Sequence, residues 1–144
     1  MKILSLFFLA LASSISAMAQ TPIDGLQKQN LNYLESRESE GYEFRSQIIT
    51  EFDQANASQN VNIKLTTGFT YIILALGDSN IPSIDLSIKP SQNAKIESLN
   101  LDQTLAGQSY ELTPSKSGNF KIAINAGGLG EGKKGFISFM VLRK

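Results

Sequence analysis

Hydrophobic and polar residues follow two different periods along this chain. Between residues 23 and 40 the apolar positions fall within one arc of an α-helix, as in an amphipathic helix. Asp24 and Gly41 stand where a first-turn cap and a C-terminal stop are expected. The apolar positions of this arc are Ile23, Leu26, Leu31, Tyr33 and Leu34. The pattern predicts one N-terminal helix.

From Tyr42 onward the period is two, and Gly, Asn, Ser, Asp and Pro separate the segments. Residues 71–76 are apolar at every position, which predicts a central strand covered on both faces. Residues 60–66 alternate between polar and apolar side chains instead, so one face of this strand should be exposed to solvent and the other buried. Strands are predicted to start near Tyr42, Asn60, Phe69, Ile84, Lys95, Ser109, Asn119 and Phe136. About eight short strands of this kind indicate a mainly β fold, an antiparallel, jelly-roll-like β-sandwich.

The start of the chain has a different character. Lys2 precedes an apolar run at residues 3–12, and residues 17–19 form a small-x-small cleavage site. This arrangement predicts a secretory signal peptide over residues 1–19, because a membrane-spanning helix needs about 20 apolar residues. We therefore expect a helical segment at 20–41, a β-sandwich domain at 42–144, and a secreted or periplasmic product with no integral membrane segment after signal cleavage.

Composition excludes several kinds of chemistry. The chain has 13 basic and 13 acidic residues, no Cys and no His. It therefore has no disulfide, no Ser-His-Asp triad and no Cys-His dyad. A zinc site of the usual nitrogen and sulfur type is also excluded. The balanced charge gives no broad field that would attract nucleic acid. We do not expect an enzyme, since only paired carboxylates or a Ser and Lys pair remain.

Several stretches of the β segment share motifs with one known family. They are Tyr110–Pro114, Ser117–Ile122, Leu65–Ile72, and Asp78 followed by Ile84–Leu86. Together they resemble the bacterial pre-peptidase C-terminal domain over residues 59–144. The resemblance implies a non-catalytic β-sandwich that is attached to, or accompanies, secreted proteins. Ser83 stands where the family pattern has Asp, and the cysteines of some relatives are missing, which weakens any inherited metal site.

Local chemistry predicts a turn at residues 114–118. Pro114 should end one strand, and Gly118 can take the positive φ that returns the chain into a neighbouring strand.

Asp78, Asp85 and Asp102 are the candidate ligand-binding residues. Asp78 and Asp85 flank a loop rich in side-chain oxygens, and Asp102 is predicted in another loop. Calcium takes six to eight oxygen ligands and tolerates irregular geometry, so Ca²⁺ at Asp78 and Asp85 is the candidate cofactor. The alternative is that these aspartates cap turns through hydrogen bonds to the backbone. The spacing favours the alternative, because it matches no defined calcium loop.

Residues 127–134 nearly match a phosphate-binding P-loop. A P-loop needs Ser or Thr after its lysine, and Lys134 occupies that position. It also needs a following helix, whereas residues 136–142 are predicted as a strand. A flexible hairpin loop is the better interpretation.

The sequence therefore predicts a non-catalytic binding or accessory module for an extracellular glycan or another secreted protein. The alternative is a structural or assembly factor of the cell envelope, docked onto an envelope protein through the N-terminal helix. A carboxylate enzyme would need two acidic side chains in one cleft. The ligand and the oligomeric state are left open.

Overall fold

The computed structural model describes residues 21–104 and 107–144, so the predicted signal peptide lies outside the described residues. Within them the chain forms one helix and eight strands. The helix is α1 (Pro22–Glu38). The strands are β1 (Glu43–Asp53), β2 (Ser58–Leu65), β3 (Tyr71–Gly77), β4 (Ser83–Pro90), β5 (Lys95–Thr104), β6 (Gly107–Lys116), β7 (Gly118–Gly127) and β8 (Lys134–Arg143).

The strands form two antiparallel sheets, which confirms the predicted β-sandwich. One sheet has the order β1-β8-β3-β6-β5 and the other has the order β2-β7-β4. A jelly roll places strands 1, 8, 3 and 6 in one sheet and strands 2, 7, 4 and 5 in the other. This chain follows that order except at β5, which pairs with β6 instead of β4.

Strand β3 is covered on both faces, as its continuous apolar run predicts. Ile73 and Ala75 belong to the core between the two sheets, whereas Ile72 and Leu74 face the helix. Leu26 of α1, which is 0% exposed, packs against Ile72, Leu74 and residues of β8 in a second apolar cluster between the helix and the sheet. The molecule therefore has three layers: α1, the five-stranded sheet and the three-stranded sheet.

The ends of α1 are built from local hydrogen bonds. Thr21 is the N-cap, and it forms a capping box with Asp24 at the third helical position. Asp24 thus takes part in the cap without being the N-cap residue. The helix ends at Glu38, and Gly41 follows with a φ of 90° while its N–H donates to the Glu38 carbonyl. The positive φ turns the chain toward β1.

The predicted apolar arc of α1 is wrong at one residue, which was expected to face the sheet and is exposed. Leu31 is 59% exposed, whereas Asn30 is 4% exposed and lies under the helix. Tyr33 and Leu34 pack against the sheet as the period predicts. The buried face is therefore narrower than the apolar arc, because α1 contacts the sheet along one line only.

The predicted turn between neighbouring strands at residues 114–118 is also wrong. Strand β6 continues through Pro114 to Lys116, and β7 begins at Gly118 in the other sheet. The residue Ser117 alone connects them. Gly118 does not have a positive φ. A glycine is needed here for close approach, since a Cβ would lie 2.8 Å from the Ala94 Cβ. Pro114 is tolerated because it pairs at an irregular part of β5.

No helix within residues 21–104 and 107–144 is long and apolar enough to cross a bilayer.

Candidate ligand-binding surfaces

Asp78 is a buried structural carboxylate at the end of β3. It is 4% exposed, and its oxygens accept hydrogen bonds from the backbone N–H groups of Asn80 and Phe136, both at 2.9 Å. Gly135 makes room for it, since a Cβ there would lie 2.9 Å from the Asp78 Oδ1. The carboxylate therefore closes the loop after β3 and ties it to β8. This is the turn-capping role that the spacing favoured.

The other two candidate aspartates lie elsewhere. Asp85 is exposed on β4 in the three-stranded sheet. The prediction that Asp102 lies in a loop is wrong, because Asp102 belongs to β5, where it pairs with Ser109, and Ser109 pairs with Leu74. The backbones of Asp78 and Asp102 are thus two strands and four residues apart, roughly 15 Å by strand geometry. In the described part of the chain no three acidic side chains form a group that could hold a metal ion.

The glycine-rich loop is not a hairpin loop. It joins β7 in the three-stranded sheet to β8 in the five-stranded sheet. Leu129 anchors it in the core, and Gly128 and Gly132 have φ values of 75° and 68°. With Asn80 and Lys134, among others, the loop lines an open groove of about 480 Å³. The Lys134 ammonium is engaged by Glu51 at 2.7 Å, so this cation is not directed at a ligand.

A smaller apolar groove of about 200 Å³ separates α1 from β1. Leu31 and Phe44 line it, and Phe44 is 46% exposed. Asn30 also lines the groove, and neither polar atom of its buried side chain has a hydrogen-bond partner in the described structure. A buried amide without partners costs free energy. This groove is the one place where large apolar side chains of both α1 and β1 reach solvent together.

The outer surface of the three-stranded sheet is a polar surface that no other element of the described structure covers. We call it the outer face. It comprises the side chains of β2, β7 and β4 that alternate with core residues, and it consists of Ser58, Asn60, Asn62, Lys64, Asn119, Lys121, Ala123, Asn125, Ser83, Asp85, Ser87 and Lys89. Ala123 is its only apolar side chain. The inward residues of the same strands, such as Phe120 and Leu86, are buried in the core.

Registers align the residues of the outer face in rows across the three strands. One row contains Asn62, Lys121 and Lys89, and the next contains Asn60, Ala123 and Ser87. Ser58 and Asn125 are hydrogen-bonded at 2.6 Å in the row of Asp85. Amide and hydroxyl groups of this kind both donate and accept hydrogen bonds. The outer face can therefore hold a ligand rich in hydroxyl groups.

The groups with displaced pKa values lie away from the outer face. Burial raises the pKa of Tyr42, and the hydrogen bond from its hydroxyl to Glu111 Oε2 at 2.5 Å raises it further. The hydrogen bond to Glu51 raises the pKa of Lys134. Glu51 and Lys134 lie on the neighbouring strands β1 and β8, whereas Tyr42, just before β1, reaches across the sheet to Glu111 of β6. Both pairs act as structural contacts rather than as proton donors in a cleft.

Sequence reasoning named the aspartates and missed the lysines of the outer face. A signal for them exists in the chain, since Lys64, Lys89 and Lys121 all stand at the polar phase of alternating strands. That phase predicts exposure. It does not reveal that the three strands are neighbours.

No protein-family model, curated protein or solved structure matches this chain. The resemblance to the pre-peptidase C-terminal domain therefore stays a hypothesis.

Proposed function

We propose that this protein is a secreted, non-catalytic binding module that holds an extracellular glycan on its outer face. The observation that carries the proposal is the polar, uncovered surface of the three-stranded sheet, with hydrogen-bonding side chains aligned in rows. The signal-peptide pattern at residues 1–19 and the resemblance to a secreted β-sandwich family support an extracellular role.

A binding role also fits the chemistry that the chain contains. His and Cys are absent, and the buried carboxylate Asp78 is already occupied by two backbone N–H groups. The outer face has one carboxylate, Asp85. Glycoside hydrolysis needs two carboxyl groups on either side of the scissile bond. The outer face therefore supports retention of a glycan better than its cleavage.

The second candidate is an assembly factor of the cell envelope that binds a protein through the groove between α1 and β1. Exposed Leu31 and Phe44 favour it, because apolar side chains in a groove are typical of protein interfaces. The helix itself is not a free docking arm, since Leu26 and Leu34 pack on the sheet. Deleting residues 20–40 would uncover the outer side of β3 and β8, so that deletion cannot test docking alone.

Two matched substitutions separate the candidates. Ala123→Tyr places a large ring in the middle of the outer face, and Leu31→Asp places a charge in the groove. The purified mature protein and both variants are passed over immobilised polysaccharides and over envelope extract, and the retained fraction is measured. Loss of polysaccharide retention in Ala123→Tyr alone supports the glycan module. Retention only of an envelope protein, lost only in Leu31→Asp, replaces it with the assembly factor.

A further inference from the structure

One corner of the molecule brings together five lysines, one from each of five strands. Lys121 in β7 lies directly opposite Lys89 in β4. Lys95 at the start of β5 lies directly opposite Lys116 at the end of β6. Lys64 lies opposite Asn119, two residues from Lys121. All five side chains are exposed. We call these five residues the lysine cluster.

The two lysine pairs are close although they belong to different sheets. Strand β6 passes into β7 through Ser117 alone, so Lys116 stands three residues before Asn119. The connection from β4 to β5 lies against the same segment, because the Ser91 N–H donates to the Asn119 carbonyl at 2.9 Å. Ala94 packs against Gly118 at the same place. The lysine cluster therefore surrounds the crossing between the sheets.

This concentration of charge is unexpected in a chain with 13 basic and 13 acidic residues. Like charges directly opposite each other destabilise an antiparallel pair, and this corner contains two such pairs. None of the five lysines forms an ion pair with another described side chain. Among the described side chains of these strands, Glu97 is an exposed acid two residues after Lys95, and Asp85 stands four residues before Lys89. The repulsion is left uncompensated within the described structure.

An anionic ligand would remove this repulsion. Because Lys64, Lys89 and Lys121 belong to the outer face, that ligand would share the face with the amides of Asn60, Asn62 and Asn119. Resting on the proposed function, we infer that the ligand of the outer face is an acidic polysaccharide, whose carboxylate or sulfate groups contact the lysine cluster while its hydroxyl groups contact the amides.

The composition of the outer face favours a polysaccharide over two other polyanions. Proteins that hold single-stranded nucleic acid stack bases on aromatic side chains, and the outer face has none. Amphipathic elements that lie on a membrane insert large apolar side chains into the lipid, and Ala123 is the only apolar side chain of the outer face. A surface of lysines and amides matches a chain of charged and hydroxylated sugars.

The test compares polysaccharides that differ in charge. Binding of the purified mature protein is measured to alginate, which carries carboxylates, to dextran sulfate, and to neutral dextran, each at low and at high salt. The inference predicts binding to the two acidic polymers that weakens strongly with salt, since exposed charges are screened. The variant Lys89→Gln/Lys121→Gln should bind them about tenfold more weakly, as expected for the loss of two exposed charge contacts.

The matched control removes the same number of charges elsewhere. Lys28→Gln/Lys133→Gln changes one exposed lysine on α1 and one in the loop before β8, and it should bind within about twofold of the unchanged protein. An equal loss in the control would overturn the role of the lysine cluster. Thermal unfolding of both variants checks that each is folded.

The remaining outcomes separate this inference from the proposed function. Binding to neutral dextran as tight as to alginate, with no effect of salt or of Lys89→Gln/Lys121→Gln, overturns the acidic ligand but keeps a glycan module. Retention of no polysaccharide at low salt overturns both. Tighter binding to duplex DNA or to phosphatidylglycerol vesicles than to alginate overturns the acidic polysaccharide as the ligand, because the lysine cluster would then bind another anionic partner.

Discussion

The two outward surfaces of the β-sandwich differ in what covers them. Helix α1 covers the five-stranded sheet, where β3 and β8 present apolar residues such as Ile72 and Met140. Nothing in the described structure covers the outer face of the three-stranded sheet, whose strands alternate between core and polar residues. Both surfaces are built from strands of similar length. A strand that is apolar on both faces therefore needs a further layer to bury its second face. A strand that alternates strictly between apolar and polar residues leaves one surface for solvent or a ligand.

The largest expected effect comes from loosening the covered surface. Leu26→Ala removes a side chain that is 0% exposed between α1 and the sheet, and we expect the free energy of unfolding to fall by about 3 kcal/mol. Chemical denaturation measures this loss. Leu31→Ala, on the same helix at a residue that is mostly exposed, is the control and should change stability by less than about 0.5 kcal/mol. Equal effects would mean that α1 does not pack as described.

The second comparison contrasts a buried carboxylate with one on the outer face. Asp78→Ala leaves the N–H groups of Asn80 and Phe136 without their acceptor, so we expect a loss of about 2 kcal/mol. Asp85→Ala, at an exposed position of β4, should change stability by less than about 0.5 kcal/mol.

Calcium sharpens the same comparison. If Asp78 only closes its loop, calcium should leave the melting temperature of the protein spanning residues 20–144 unchanged, as measured by calorimetry with calcium and with chelator. A rise in melting temperature that disappears in Asp85→Ala would establish the calcium site that the sequence left open.

A third prediction concerns pH at the edge of the covered surface. The pKa of Tyr42 is raised by burial and by its bond to Glu111. A raised pKa means that this contribution to stability is complete below the unfolded value of about 10 and is lost as the pH rises toward the folded value. Tyr42→Phe should lower the free energy of unfolding by about 1 to 2 kcal/mol at neutral pH.

The informative quantity is the difference in the free energy of unfolding between the unchanged protein and Tyr42→Phe. It should stay constant from neutral pH to about pH 10 and shrink at higher pH, because Tyr42→Phe has no hydroxyl to ionise there. Urea denaturation across this range measures it, and the subtraction cancels the titration of other groups. A difference that grows above pH 10 would contradict the sign.

The smallest effect is expected on the outer face. Lys89→Glu replaces a like-charge pair with an opposite-charge pair across from Lys121, so stability should rise by about 0.5 kcal/mol at low salt. Ser87→Glu, one row away and opposite Ala123, is the matched control and should give a smaller rise. Denaturation at low and at high salt checks both, since salt should remove most of the gain.

The alternation of residues predicted the strands well, and the continuous apolar run at residues 71–76 predicted the central position of β3. The connections were harder. Pro114 and Gly118 have the local chemistry of a turn, yet β6 and β7 lie in different sheets. The glycine-rich loop likewise joins two sheets. Local chemistry specifies that a chain bends, whereas the partner of each strand depends on packing between distant segments.

The candidate site shows the same limit. The sequence made Asp78 a candidate calcium ligand because its loop is rich in side-chain oxygens. Its carboxylate instead accepts hydrogen bonds from backbone N–H groups, one of them from β8. That donor is 58 residues away in the chain. The sequence did not predict the lysine cluster, because net charge is a sum over the whole molecule. The registers of β4, β6 and β7 decide which charged side chains lie opposite each other.

By itself the sequence determined which residues of β2, β4 and β7 face the core, since successive side chains in a strand point to opposite sides of the sheet. It also determined that β3 must be buried on both faces and that no His or Cys chemistry is available. Only the tertiary structure decided which strands are neighbours, and hence that Lys89 meets Lys121 and that α1 covers one sheet and not the other. The physical reason is that the side of the sheet to which a side chain points is a local property of the backbone. Which strands pair with each other depends instead on registers between segments far apart in the chain.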